Sequence, residues 1–378
     1  MQSNILTFPS TDAEARITAT ARILTKYHEA EQQFIQLLEM EDLDKKLDAD
    51  SSIASQFEQA LATAIKEAYT KDSNNDTAHL FLQRVLYRIN RLKLFWYDDL
   101  RHYTNERSAY LRNVRDRIEA SWQEWELTHI DVAALQKLNV ADIKQALIER
   151  SECDLEPPIS EDGRYLREQM TEVGYRRLLA IASLDGLVEA SQLSRTVGGV
   201  GNEVQSVLTR LLMEEYGNGR LARKHSSFFT EMLTTLQMQT EPEAYFDLVP
   251  WEVLAVINNS FLLSECKRYF LRYIGGLLYF EVSVPAGFSN YRAAAERLGL
   301  PAAARSYWDL HIKVDILHGR WMLDDVTLPL AAQYPANAWE LVFGYDQQRL
   351  MSSRAGAAVV RAIREVEQAM SSLSKVGK

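Results

Sequence analysis

The stretch YWDLHIKVDILHGRWML, residues 307–323, places His311, Asp315 and His318 at helical spacing. An ideal helix advances roughly 100° per residue, so these side chains fall at about 0°, 40° and −20°. One narrow stripe carries imidazole, carboxylate and imidazole, beside the apolar Ile312, Val314, Ile316 and Leu317. Spacing alone leaves two readings, metal ligands or a polar seam satisfied by internal partners. Upstream, EEYGNGRLARKH puts Glu215 ten residues before His225. An uninterrupted helix would rotate the second group roughly 80° from the first, and the glycines of YGNG are where a distortion could bring them together. Glu189, in DGLVEASQLSR, lies among apolar residues. Buried alone, it would be costly unless paired or bound to a cation. Together these are three carboxylates and three imidazoles on three expected helices. Structural zinc takes four ligands and often thiolates. Six mixed oxygen and nitrogen donors suit a pair of iron or manganese ions, as in helical carboxylate proteins.

Other motifs carry less. GGVG lacks the third glycine, preceding strand and downstream acid of a dinucleotide fingerprint. There is neither a phosphate-binding loop nor a GxSxG elbow. Glu126-x-x-His129 is half of a ferritin-like carboxylate motif, which needs a second copy that the chain does not have. The basic-aromatic YRINRLKLFWYDDLRHY reads as a long amphipathic helix with a solvated face, or as a partner contact.

The elements that must position these groups read as helices throughout. A pattern from Asp12 to about Asp44 opens behind Ser10 and Thr11 as caps, and a second helix is expected over Ser51–Lys71, stopping at DSNND. Thr77 to about Trp125 has neither proline nor glycine, and its aromatics and leucines recur at three- and four-residue spacing. VAALQKLNVADIKQALIER adds one or two helices before SECDLEPPISEDG, which is the expected boundary between units at 1–155 and 156–378. The apolar WEVLAVINNSFLLSECKRYFLRYIGGLLYFEVSVP reads as helices in the middle of a bundle, and a last helix is expected near Ser352–Ser372.

Composition sets outer bounds. The 378 residues are 47% hydrophobic and 25% charged, ordinary values for a globular chain. A net charge of −10 argues against a nucleic-acid binder working through a broad cationic face. No basic and apolar leader opens the sequence and no apolar run is long enough to span a bilayer, so a cytoplasmic protein without membrane contact is expected. Two cysteines give no disulfide framework and no CxxC site.

At LVEAS, EEYGNGRLARKHSSFF, YIGGLLYFE and HIKVDILHGR, over about residues 180–320, the chain closely resembles the heme-oxygenase-like diiron oxidases, also known as iron-containing redox enzymes. The resemblance implies an all-α, heme-oxygenase-like bundle over 156–378, preceded by an N-terminal helical domain. It implies Glu189 from the first core helix, Glu215 and His225 from the second, and His311, Asp315 and His318 from the third as ligands of two iron ions. The family motif favours Glu215, directly before Tyr-Gly, over the adjacent Glu214. Glu281 matches a further acid of the family, as an extra ligand or as the holder of a cationic substrate group. The cofactors implied are two iron ions per chain, O2 as co-substrate and an external electron donor. The activity implied is N-oxygenation of an amine or guanidine on a small amino-acid-like substrate, in a specialised biosynthetic pathway. Oxidative decarboxylation, desaturation or C–C cleavage of an amino or fatty acid is the alternative within the family. The N-terminal block resembles, in architecture only, the segment that helps N-oxygenating members form homodimers. Without metal, the same residues would be the buried polar network of a helical interaction protein.

Overall fold

The computed structural model describes residues 27–70, 75–95, 99–199 and 203–376, all of them helices, turns and loops with no strand. The start of the Asp12–Asp44 pattern, most of DSNND, part of VGGVGNE and the centre of the basic-aromatic stretch lie outside these residues. The first half holds α1 (His28–Leu38), α2 (Leu43–Ala49), α3 (Ser55–Ala68), α4 (Asp76–Asn90), α5 (Ala109–Leu127), α6 (Val132–Leu135) and α7 (Val140–Leu155). The second half holds α8 (Glu161–Glu168), α9 (Glu172–Gly186), α10 (Glu203–Glu215), α11 (His225–Thr235) and α12 (Trp251–Glu265). It continues with α13 (Phe270–Arg297), α14 (Ser306–Arg320), a π-helical stretch at Trp321–Thr327, α15 (Leu328–Gln333) and α16 (Trp339–Val376).

The amphipathic faces of α1, α3, α4 and α5 close over one core of Phe34, Phe57, Leu61, Phe81, Leu82 and Trp122, all essentially inaccessible. Each such side chain contributes roughly 1.5–3 kcal/mol by leaving water. The proline-free stretch after Thr77 is not one helix, because local caps interrupt it. Ser108 accepts from Leu111 N–H at 3.2 Å to start α5. Asn105 donates to the Leu38 and Met40 carbonyls at 2.9 and 2.8 Å, tying the connection to the end of α1. Side chains of this kind satisfy orphan backbone groups at the cost of helix continuity.

This core is completed by α12, whose Trp251 and Ala255 belong to it. Across the same contact, Asn90 donates to Asn258 at 3.0 Å, and Asn258 donates to the Gln83 carbonyl at 2.9 Å.

The centre of the second half is the pair α13 and α16. Their backbones approach through glycines: a Cβ at Gly344 would stand 2.8 Å from Arg272 Cα, and one at Gly275 would stand 2.9 Å from the Leu341 carbonyl carbon. Both helices are longer than the local sequence signals imply. α13 passes through Pro285 instead of ending there, and α16 starts at Trp339 rather than near Ser352. Proline removes one helical hydrogen bond, and the packing of α13 against α14 and α16 holds it together through that gap. α14 packs on α13, while α9 packs on α16. No described helix is long and apolar enough to cross a membrane. Cys153 and Cys266 are free thiols.

Candidate metal centre

The six expected ligands arrive from four segments rather than three helices, and Glu281 comes from a fifth. α9 ends at Gly186, and the chain turns so that Glu189 N–H donates to the Asp185 carbonyl at 2.8 Å. Glu189 and Ala190 then adopt left-handed backbone, with φ of 46° and 48°. For residues with a side chain this costs of order 1–3 kcal/mol each, so the contacts of Glu189 must hold it there. The expectation of a ligand on the first core helix is corrected: Glu189 stands beyond that helix's end. Glu215 and His225 likewise do not share a helix. Glu215 is the last residue of α10 and His225 the first of α11, with a Gly217–Gly219 turn between them. The glycine-rich YGNG is therefore a reversal, with positive φ at Gly217, Asn218 and Gly219. Only His311, Asp315 and His318 share one helix, α14, as their spacing predicts.

Glu215, His225, His311, Asp315 and His318 are all at most 5% exposed. Their donor atoms form two groups, Glu215–His225–His311 and Glu215–Asp315–His318, and within each group the atoms lie within 4.8 Å of one another. Glu215 belongs to both. A further carboxylate flanks each group: Glu189 Oε1 is 3.7 Å from His311 Nε2, and Glu281 Oε2 is 3.3 Å from His318 Nδ1. Glu281 comes from α13, one turn before Pro285. Proline lacks the N–H that would donate to the Glu281 carbonyl. Gly319 of α14 faces that carbonyl, and a Cβ there would stand 3.3 Å from the oxygen.

The hydrogen bonds around the cluster fix which imidazole nitrogen faces it. His311 Nδ1 lies 2.9 Å from the Tyr307 carbonyl, which can only accept, so Nδ1 carries a proton and Nε2 is the nitrogen turned inward, 3.1 Å from His225 Nδ1. His318 Nε2 donates to Glu214 Oε2 at 3.1 Å, leaving Nδ1 toward Glu215, Glu281 and Asp315. Tyr307 also donates its hydroxyl to Glu189. Ligating histidines are oriented by outer partners of this kind.

Inside the cluster, three atoms have no hydrogen-bond partner: Glu215 Oε2, Asp315 Oδ1 and His318 Nδ1. Glu215 Oε2 is only 2.7 Å from His225 Nδ1, yet the two are not aligned as a hydrogen bond. Such neighbours face a common point rather than each other. Four carboxylates around three imidazoles, Glu215 and Asp315 buried and Glu189 and Glu281 partly so, also demand positive charge. Burial opposes protonation of His311, but Glu189 beside it overrides burial and lifts the imidazole to about 10. His318 is lifted in the same way to about 11 by Asp315 and Glu281. Burial raises Asp315 to about 7, and burial with neighbouring Glu189 raises Glu215 well above the ordinary carboxylate range. His225 is pushed down to about 4 by burial and by His311. The protein alone thus balances its charge with protons on His311 and His318, which a metal would displace. The donor set and its orphaned atoms fit iron.

A cavity of about 1310 Å³ opens onto this cluster through Glu189, Glu215, Glu281, His311 and Asp315. Its walls beyond the cluster include Phe229, Leu277, Phe288 and Tyr291.

All six motif residues and Glu281 come together. The sequence reading missed Tyr307, and it passed over Glu214, which holds His318 from outside the cluster. Tyr307 had a local signal, four residues before His311 on the same helix. Glu214 had none, since it meets His318 only because α10 packs on the π-helical stretch that continues α14. The half-motif at Glu126 is structural: Glu126 is buried against Trp122 Nε1 at 3.1 Å and Arg354 at 2.5 Å, and His129 donates to the Trp125 carbonyl. In the basic-aromatic stretch, Arg88 pairs with Glu31 at 3.2 Å and Arg91 with Glu243 at 2.5 Å.

Residues 176–350, which contain every residue of the cluster, match the family of iron-containing redox enzymes. The chain is also similar to nitrosourea synthase from Streptomyces achromogenes subsp. streptozoticus, at 26% identity over 168 residues. That alignment covers 44% of this chain and 36% of the relative, so the shared part is little more than a third of that protein.

Proposed function

We propose that the chain is an iron-containing redox enzyme, the family whose model residues 176–350 match, and that it is an O2-dependent non-heme diiron oxygenase acting on the nitrogen of an amine or guanidine. The observation that carries the diiron reading is the pair of three-donor groups sharing Glu215, with unpartnered atoms in the second group and at their shared member. In this reading Glu189, Glu215, His225 and His311 hold one iron, and Glu215, Glu281, Asp315 and His318 hold the other. Bound iron supplies the binding and reduction of O2 that side chains cannot perform. The chain's own residues do the rest. The Tyr307 hydroxyl holds Glu189, the Tyr307 carbonyl fixes His311, and Glu214 fixes His318. The apolar cavity walls keep bulk water from the reacting groups.

Hydroxylation of an amine would consume O2, two electrons from an outside reductant and two protons, and would yield an N-hydroxy product and water. Similarity to a nitrosourea synthase supports nitrogen rather than carbon as the atom oxidised. The substrate, the reductant and pairing of two chains through residues 1–155 belong to the same proposal.

Anaerobic Fe(II) titration followed by O2 and a panel of amines tests the reading. The expected result is uptake of about two Fe(II) per chain and a product heavier by one oxygen, with activity lost in His311→Ala and Asp315→Ala while helical content is retained. Absence of iron uptake, or unchanged turnover in both variants, overturns it. Alkene, aldehyde or CO2 as product would move the assignment to C–H or C–C oxidation.

A further inference from the structure

One carboxylate in the cavity takes no part in the cluster. Asp185 lies in the last turn of α9, one turn before Glu189. Its side chain is accessible and lines the cavity beside the cluster. No hydrogen bond or ion pair to its side chain occurs among the described residues, and it belongs to neither three-donor group. Around it the cavity is lined by Leu178, Ile181, Phe229, Tyr273 and Tyr307. The Tyr273 hydroxyl is also without a hydrogen-bond partner there, and after burial the charges of Glu281 and Asp185 are what raise its pKa. Burial, then the charge of Glu189, lifts Asp185 itself to about 7.

An unpaired carboxylate in apolar surroundings is costly, and no lysine or arginine among the described residues pairs with this one. Anion and aromatic faces together are the surroundings that hold an organic cation, by charge-assisted hydrogen bonds and by attraction to the rings. A small anion or a fatty acyl carboxylate would be repelled. Glu281, the sequence-based candidate for this role, is engaged at His318.

We propose that Asp185 is the subsite for a positively charged nitrogen group, ammonium or guanidinium, on an aliphatic ligand that enters the cavity beside the metal-ligand cluster. The Tyr273 hydroxyl is its neighbouring hydrogen-bond partner, and the apolar walls take the ligand's carbon chain. The fate of the ligand rests on the amine or guanidine reading above; its binding does not.

The test is isothermal titration of the Fe(II)-loaded protein under argon with n-pentylguanidinium and with its neutral isostere n-pentylurea, repeated on iron-free protein. The wild type should bind the cation at least about tenfold more tightly than the urea, as an ionic partner allows. Asp185→Asn should reduce that preference to within about threefold, and Asp185→Glu should keep most of it. Iron stoichiometry and helical circular dichroism should be unchanged in both variants. Equal binding of the two probes by the wild type, or no binding of the cation, overturns the proposal, whether or not the variants fold. A preference that survives intact in Asp185→Asn overturns the assignment to this residue. Because binding needs no turnover, failure here leaves the oxygenase reading standing. Failure of iron uptake or O2 chemistry still leaves the iron-free comparison readable.

Discussion

Among individual residues, the sharpest distinction lies between Glu214 and Glu215, consecutive in sequence and on opposite sides of one imidazole. Glu215 Oε1 faces His318 Nδ1 at 3.4 Å from within the cluster, whereas Glu214 Oε2 takes the Nε2 proton at 3.1 Å from outside. Arg210 lies 3.8 Å from Glu214 and stacks at 3.6 Å over Trp321, next to His318 in space. The arrangement fixes the tautomer of His318 and leaves Nδ1 free. Replacing Glu214 by Gln keeps the shape but weakens that hold. Iron affinity should fall roughly 10- to 100-fold, the usual effect of losing a ligand's outer partner, with no loss of helical signal. Competition against a chelator under argon measures it, and an unchanged affinity would show that Glu214 does not orient the ligand.

At the level of elements, the reversal between α10 and α11 decides whether Glu215 and His225 meet. Gly217 has φ of 62°, and a Cβ there would stand 2.5 Å from the Lys224 nitrogen, at the residue that precedes His225. Gly219 has φ of 76° but open space where its Cβ would be. Alanine at 219 meets only the backbone cost, whereas alanine at 217 also collides with the strand of chain carrying His225. The expectation is a loss of roughly 1–3 kcal/mol in Gly217→Ala, a smaller loss in Gly219→Ala, and weaker iron retention in the first alone. Thermal unfolding together with iron titration separates the two. Equal behaviour of both variants would mean that the turn merely connects.

For the molecule as a whole, the contact between α4 and α12 joins the N-terminal core to the helices that carry the site. His79 lies in it, 1% exposed, with its ring stacked on Trp251 at 4.2 Å and Nδ1 unpartnered. Burial pushes this imidazole down from 6.5 to about 4. The unfolded chain therefore takes up a proton at this position over a pH range in which the folded chain does not. Stability from this group is complete above pH 6.5, falls as the pH drops toward 4, and is lost progressively across that window. The loss is at most roughly 3 kcal/mol. Urea unfolding at pH 7.5 and pH 4.5 should show a smaller acid loss in His79→Gln than in the wild type. The comparison between variants removes the contribution of the other histidines, and identical acid losses would place the sensitivity elsewhere.

By itself the sequence determined the helical class, the amphipathic faces and the stripe on α14, because each depends on spacing within a single helix. His311, Asp315 and His318 were legible for that reason. The grouping of the remaining ligands was legible through the order of the motifs, but their placement was not. The left-handed turn that presents Glu189, the reversal that separates Glu215 from His225, and the passage of α13 through Pro285 are decided by contacts between segments far apart in the chain. The same holds for the outer partner of His318 and for Asp185, whose place in the cavity exists only once α9, α13 and α14 have packed. Periodicity records which face of a helix is buried. What that face meets is settled by close packing and by the charge balance of groups that share no local sequence.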